Sequence, residues 1–411
     1  MKIRPGWTKR VLAQPFPIRS MTPATTIPRS LTESGLRRKA FAVSLEKTLT
    51  NIADLAASPT TTWSFSRPGD YTDWPEGFFE IGNWTTSFFT GMAVIGLKQT
   101  GDVRYLAALE KLEGPYREKI GPRGDDTMHD LGFLYSLYAV AMHQVAGGEN
   151  FRGLGLLAAR RLADRFIPEG GYIRAWGRLD EPDTDYAGLA IIDCMMNLPL
   201  LYWACAETGE DRFRDIAVRH ADTTLQCFLR EDDSVCHAYR FAADGTPTGP
   251  DNYCGRAVDS HWARGTAWAM YGFALSYRHT GDARYLDAAL RVTRRFLDLL
   301  GERAVPVWDF RLPDGEAPLP DSSASAVAVC ALQVLGELGA ADQRMVARKD
   351  AILDALCGPE WFDDDPACRG LLRNAQVGDG VGRARNVYTS WGDYYLTEAL
   401  AREAGMRVDW W

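Results

Sequence analysis

The sequence predicts an all-α fold, an (α/α)6 barrel in which six helical hairpins close into a ring of inner helices inside a ring of outer ones. Three observations predict it. A short phrase recurs as Thr100-Gly101-Asp102-Val103-Arg104-Tyr105, Thr208-Gly209-Glu210-Asp211-Arg212-Phe213 and Thr280-Gly281-Asp282-Ala283-Arg284-Tyr285, with weaker echoes at Gly147-Gly148-Glu149 and Gly339-Ala340-Ala341-Asp342. The glycine suits the end of one helix and the acid the start of the next. Before each turn the chain is apolar nearly all round; after it, apolar residues fall at helical spacing with a charged face, as at Arg160, Arg161, Asp164 and Arg165. Six apolar segments can be counted, at 84–99, 130–145, 186–207, 261–279, 322–338 and 391–404. An open helical solenoid would want polar caps and a more regular repeat.

Taken in order, residues 1–35 form a basic, Pro-rich arm, with Lys2, Arg4, Lys9, Arg10, Arg19 and Arg29 and no acid before Glu33. Pro5, Pro15, Pro17, Pro23 and Pro28 break the amphipathic helix that an organelle transit peptide would need. Residues 36–411 make up the helical domain. Each turn ends an inner helix, so the turns belong at one rim and the six inner helix starts at the other.

Those starts differ chemically. They read Gly82-Asn83-Trp84-Thr85, Met128-His129-Asp130, Asp185-Tyr186, Asp259-Ser260-His261-Trp262-Ala263-Arg264, Asp321-Ser322-Ser323 and Ser390-Trp391-Gly392-Asp393. N-capping accounts for Asp321 and suits Asp259, but not for Trp, His and Arg converging on the same rim. Helix N-termini also direct positive dipole ends into the cavity, which suits an anionic ligand. In the third segment one carboxylate, Asp193, is set inside an apolar stretch about two turns into the expected helix. A buried carboxylate must be paired, hydrogen-bonded or protonated, and a protonated one is a proton donor.

Composition limits the alternatives. With 46% hydrophobic and 24% charged residues, the 411-residue chain can bury a large core. A net charge of -8 argues against a general nucleic-acid binder while leaving room for a locally basic site. No window of eighteen apolar residues marks a membrane span, and the start lacks a secretory apolar region. The eight cysteines are dispersed without a C-x-x-C pair, so reduced thiols and a cytoplasmic enzyme, monomeric or homodimeric, are expected. The six histidines lack metal-ligand spacing and no Gly-rich phosphate loop follows a strand, so no metal or nucleotide cofactor is called for. Acids, flat aromatics, Arg and His together are the residue types of a carbohydrate site.

Five phrases carry a family resemblance: His129-Asp130-Leu131-Gly132-Phe133, Ile191-Ile192-Asp193-Cys194-Met195-Met196-Asn197-Leu198-Pro199, the run from His261-Trp262-Ala263-Arg264-Gly265 to Phe273, Asp321-Ser322-Ser323-Ala324-Ser325 and Trp391-Gly392-Asp393-Tyr394. Spanning residues from about 80 to 400 in order, they make the chain resemble the unsaturated glucuronyl hydrolases, glycoside hydrolase family 88. The resemblance implies an (α/α)6 barrel acting on the 4,5-unsaturated uronic acid that a polysaccharide lyase leaves at the non-reducing end of an oligosaccharide. It implies Asp193 as the catalytic acid and base and Asp130 as the second essential carboxylate. It implies Trp84 as a platform for the unsaturated ring, Arg264 with Trp268 as a substrate-binding pair, and His129 and His237 as site-lining residues. The chain departs from the family's pattern at two sugar-contacting positions, Ser87 in place of Asn and Asn252-Tyr253-Cys254-Gly255 in place of His-Gln-Gly-Tyr. Arg256 has no family counterpart, but a free guanidinium there would suit a carboxylate. The alternatives are an unsaturated rhamnogalacturonyl hydrolase, an ordinary glycosidase, a sugar epimerase, and a glycan-binding barrel without catalysis.

Overall fold

The structure, a computed structural model, describes residues 35–59, 63–71, 77–182, 184–378 and 385–411. The predicted basic arm lies outside the described residues except for its last residue. Gly35 begins α1 (Gly35–Ala57). The remaining helices are α2 (Thr86–Thr100), α3 (Val103–Lys111), α4 (Glu113–Ile120), α5 (Leu131–Tyr135), α6 (Ala141–Ala146), α7 (Glu149–Asp164), α8 (Leu198–Thr208), α9 (Asp211–Cys227), α10 (Ala263–Thr280), α11 (Ala283–Leu300), α12 (Ser322–Glu337), α13 (Gln343–Leu356) and α14 (Ser390–Glu403).

Burial sorts them into two rings. In α10 and α12 the residues from Ala263 to Ser276 and from Ser322 to Leu335 are buried without interruption, so these helices have no solvent face. Along α11 only Tyr285, Ala288, Ala289, Val292, Thr293, Phe296, Leu297 and Leu300 are buried, the stripe of an outer helix. The inner ring runs α2, the α5–α6 rod, α8, α10, α12 and α14, each packed on the next, and closes where α14 meets α2. A π turn at Ser136–Val140 joins α5 to α6. The outer partner of α14 is α1, so the sixth hairpin joins the first and last described helices.

The repeated phrase has a job for each residue. Gly101, Gly209 and Gly281 adopt left-handed φ angles of 69°, 75° and 72°, which only glycine adopts at little cost. Thr100, Thr208 and Thr280 donate to the carbonyl four residues back and accept the N–H two residues on. Asp102 and Asp282 cap the next helices through the N–H groups of Arg104 and Arg284 at 2.9 and 3.0 Å; Glu210 makes no such side-chain bond.

Three readings need correction. The third inner helix does not begin near Tyr186: Leu189–Ile191 form a strand, β1, and Ile192–Met196 a 3₁₀ turn before α8. Pro199, in the first turn of α8, lacks the N–H that a helix extending further back would require. The Leu-Ala-Ile run instead pairs antiparallel with Ala238–Phe241 (β2), which in turn pairs with Pro247–Asp251 (β3). Asp193 therefore stands in the 3₁₀ turn at the helix entrance. Arg165 leaves the charged outer face and is 1% exposed. Asp321 caps α12 as expected, accepting from Ser323 at 3.1 Å, whereas the N-cap of α10 is Trp262, not Asp259.

At the end of the barrel where the turns lie, Val408, Trp410 and Trp411 are buried. The Trp411 indole N–H donates to Glu398 at 2.7 Å and that of Trp410 to the Tyr394 hydroxyl at 3.1 Å. Aromatic rings thus fill the interior from this end, and the cavity opens at the other.

Candidate active site

Five of the six inner helix starts line one cavity of about 560 Å³, contributing Trp84, Met128, His129, Asp130, Asp193, Trp262, Arg264 and Trp391. The sixth, that of α12, acts through Asp321, which pairs with Arg264 at 3.0 Å. Loops and strands add Trp176, Tyr186, Ile191, His237 and Cys254.

The two carboxylates are brought together by close backbone packing. Gly132, in the first turn of α5, faces Asn197; a Cβ there would fall 2.8 Å from the Asn197 carbonyl oxygen and closer still to its Cα. Only glycine lets the helix entered through Asp130 approach the turn that carries Asp193. The Phe133 N–H donates to Asn197 Oδ1 at 2.8 Å and Asn197 Nδ2 donates to the Asp193 carbonyl at 3.3 Å. Burial raises the Asp130 carboxyl well above the usual carboxylate range, and the negative charge of Asp193 adds to the effect; Arg165 and a hydrogen bond with Asn197 oppose it. Two like charges in a dry cavity resist ionising together.

Each carboxylate has a histidine. His129 Nε2 lies 3.5 Å from Asp130 Oδ1, and burial, reinforced by Arg165, His220 and His237, holds the imidazole neutral far below its ordinary titration range. His237 Nδ1 accepts the N–H groups of Tyr253 and Cys254 at 2.9 and 3.1 Å. Because Nδ1 accepts, the neutral ring carries its proton on Nε2, which lies 3.9 Å from Asp193 Oδ2.

Aromatic surfaces surround this centre. Trp84 stacks on Trp391 with centroids 5.0 Å apart and 26° between planes. The Arg264 guanidinium lies over Trp262 at 4.6 Å and Trp391 at 5.3 Å and donates to the carbonyls of Gln376 and Val377 at 2.5 and 2.8 Å. Arg264 Nε, Trp262 Nε1, Trp391 Nε1 and His129 Nδ1 are buried without a hydrogen-bond partner among the described residues. Unsatisfied buried polar groups are costly; all four belong to residues that line the cavity.

Of the residues named from sequence, Asp193, Asp130, Trp84, His129, His237 and Arg264 line the cavity. Three stand elsewhere. Ser87 is fully buried and shares a 2.5 Å hydrogen bond with the Tyr116 hydroxyl. Trp268, also fully buried, packs on Phe133 and Tyr395 at 5.4 and 5.3 Å, one turn below Arg264. The Arg256 guanidinium is not free: it pairs with Glu316 at 2.7 Å. Sequence reasoning gave no site role to Trp262 or Trp391, although both stand in the phrases that carry the resemblance, and it missed Trp176 and Tyr186, which lie in loops without periodic pattern. Among the described residues no group of three or more His, Cys, Asp or Glu is placed to hold a metal ion, and no helix is long and apolar enough to cross a membrane.

No family model matches the chain. It is 36% identical over 335 residues to the unsaturated glucuronyl hydrolase of Bacillus sp. (strain GL1), covering 80% of this chain and 88% of that protein. It is 34% identical over 330 residues to the unsaturated chondroitin disaccharide hydrolase of Streptococcus pneumoniae, covering 78% of this chain and 81% of the relative. The crystal structure of the Bacillus sp. GL1 unsaturated glucuronyl hydrolase, responsible for the degradation of glycosaminoglycan, superposes with a TM-score of 0.81 at 33% identity over 89% of this chain and 96% of that one.

Proposed function

Because the chain belongs to the unsaturated glucuronyl hydrolases, a family of glycoside hydrolases with the same helical barrel, we propose that Asp193 and Asp130 carry its reaction, the release of a 4,5-unsaturated uronic acid from the non-reducing end of an oligosaccharide. The observation that supports this assignment is the convergence of both carboxylates in one cavity walled by tryptophans and an arginine. Burial, and after it the negative charge of Asp193, raises the Asp130 carboxyl, and two carboxyls in one dry cavity titrate as a unit.

In this reading the proton passes from Asp193 to C4 of the vinyl ether and the π electrons close the new C–H bond. Water adds to the cation left at C5 while its proton returns to the Asp193 carboxylate. The C5 hemiketal then opens and expels the remaining sugar. Asp130 orients the substrate and tunes Asp193, the His237 Nε2–H faces the Asp193 carboxylate at 3.9 Å, and Trp84 stacks on the ring. Arg264, in the cavity wall, supplies positive charge for the uronate carboxylate. All eight cysteines are free thiols, which supports a reducing, cytoplasmic setting.

Loss of the ultraviolet absorbance of the conjugated uronate, followed with lyase-generated disaccharides from chondroitin, heparin, xanthan, gellan and rhamnogalacturonan, tests the activity. Turnover of a glycosaminoglycan disaccharide is expected; unchanged absorbance with every substrate would overturn it. Asp193→Asn and Asp130→Asn should each lower kcat by about 10² to 10⁴ while binding stays measurable. Full activity in Asp193→Asn would remove it from its role.

A further inference from the structure

Arg165, at the C-terminal cap of α7, is fully buried yet has no carboxylate within 4 Å among the described residues. Its guanidinium is spent on backbone instead. Nε donates to the Arg174 carbonyl at 2.9 Å, Nη1 to that of Thr127 at 2.7 Å, and Nη2 to those of Ala175, Trp176 and Gly177 at 3.2, 3.1 and 2.9 Å. Thr127 enters the turn that carries His129 and Asp130, and Trp176 stands in the cavity wall. The Ala175 carbonyl also accepts the His129 N–H at 2.9 Å, so one acceptor joins the two segments that the guanidinium bridges.

We propose that Arg165 is a positioning residue for the carboxylate pair: it locks the Trp176 loop to the Asp130 turn and lends Asp130 a buried positive charge. A buried charge is usually paired; here burial, and after it Arg174, disfavours the charged guanidinium, and Asp130, with a smaller contribution from Cys194, opposes them. The other ionisable groups bearing on this corner are Asp193, His129, His220, His237 and Arg174. Arg174 repels Arg165, and Asp193 repels Asp130. Arg165 thus offsets the repulsion between the acids without touching substrate. The five carbonyl contacts need the planar fork of arginine, which the compact ammonium of lysine lacks. This inference rests on the catalytic reading of Asp130 only for its effect on turnover.

The test is an infrared titration of the protonated-carboxyl C=O band that Asp130→Asn removes, run on the full chain. Arg165→Gln keeps an amide donor for the same carbonyls and serves if Arg165→Met does not fold. In either neutral variant the midpoint of that band should rise by about one pH unit, and in Arg165→Lys by less. An unmoved midpoint in a folded neutral variant would overturn the proposal, whether or not the chain turns over any substrate. If it does, the alkaline limb of the kcat profile should move up in parallel. A merely structural arginine would lower activity equally at all pH values and leave both limbs in place. Failure of the wild-type chain on every unsaturated disaccharide sinks the functional reading instead, and the infrared midpoint still decides the role of Arg165.

Discussion

His237 holds its Nε2 3.9 Å from Asp193 Oδ2 while its Nδ1 takes the N–H groups of Tyr253 and Cys254. The ring is therefore a fixed spacer between a backbone loop and a carboxylate, with its tautomer set from behind. His237→Gln keeps an N–H at the position of Nε2, and His237→Asn keeps an acceptor at that of Nδ1. The first should retain more kcat and lose more stability; the second should do the reverse. His237→Ala should lose about 1–3 kcal/mol through two unsatisfied N–H groups. Steady-state kinetics beside urea unfolding of the three variants checks this, and a matching ranking in both assays would contradict it.

Gly132→Ala should destabilise the chain by about 1–3 kcal/mol, the usual range for overpacking, because the added methyl meets the Asn197 backbone. Its effect on kcat should exceed that on KM, since the substitution alters the approach of Asp130 to Asp193 more than the aromatic walls. A Gly132→Ala enzyme with wild-type kcat would show that this packing does not set the relation between the two acids.

Asp321→Asn leaves Arg264 as a buried cation with two carbonyls and no carboxylate at 3.0 Å. Breaking one side of a buried pair costs about 3–5 kcal/mol, so a large fall in denaturation midpoint is expected. KM should rise as well, because Arg264 is held between Trp262 and Trp391 in the cavity wall. Replacing Arg256, which stands outside the cavity, should leave KM within about twofold, as surface changes usually do.

Asp393 is buried at the start of α14, accepting the N–H groups of Leu371 and Leu372 at 3.0 and 2.9 Å and the Tyr71 hydroxyl. Burial pushes its carboxyl up to about 7 from an ordinary 3.8, against the pull of these donors and Lys47. Between those values the folded chain keeps a proton that the unfolded chain has lost. Stability therefore falls as pH rises from about 4 to about 7, by at most ~1.4 kcal/mol per pH unit, and levels off above. Urea midpoints measured across this range should show a slope in the wild type that Asp393→Asn flattens.

What was legible in the sequence follows from locality. The Thr-Gly-Asp turns announced the hairpins because each works within a few residues, and the uninterrupted apolar helices announced the inner ring. The entrance to the third inner helix was misread because Leu189-Ala190-Ile191 is as apolar as a buried helix, and its pairing with β2, some fifty residues on, decides for a strand. Asp130, Asp193 and His129 were named through shared phrases and His237 through the family resemblance, and all four line the cavity. Ser87, Trp268 and Arg256 were misplaced because their partners Tyr116, Phe133 and Glu316 lie far along the chain. Arg165 read as one more charge on an outer helix because its five acceptors are backbone carbonyls, which no residue type reveals.

Trp84 and Trp391 stack face to face although 307 positions separate them, one just before α2 and the other in the first turn of α14. That contact lies on the seam where the ring closes. During synthesis, which delivers the N-terminal helices first, Trp84 has no such partner until almost the whole chain has emerged. That stretch of the cavity wall is therefore among the last parts of the barrel to be assembled, and a growing chain carries both carboxylates for a long interval before this pair of rings is complete.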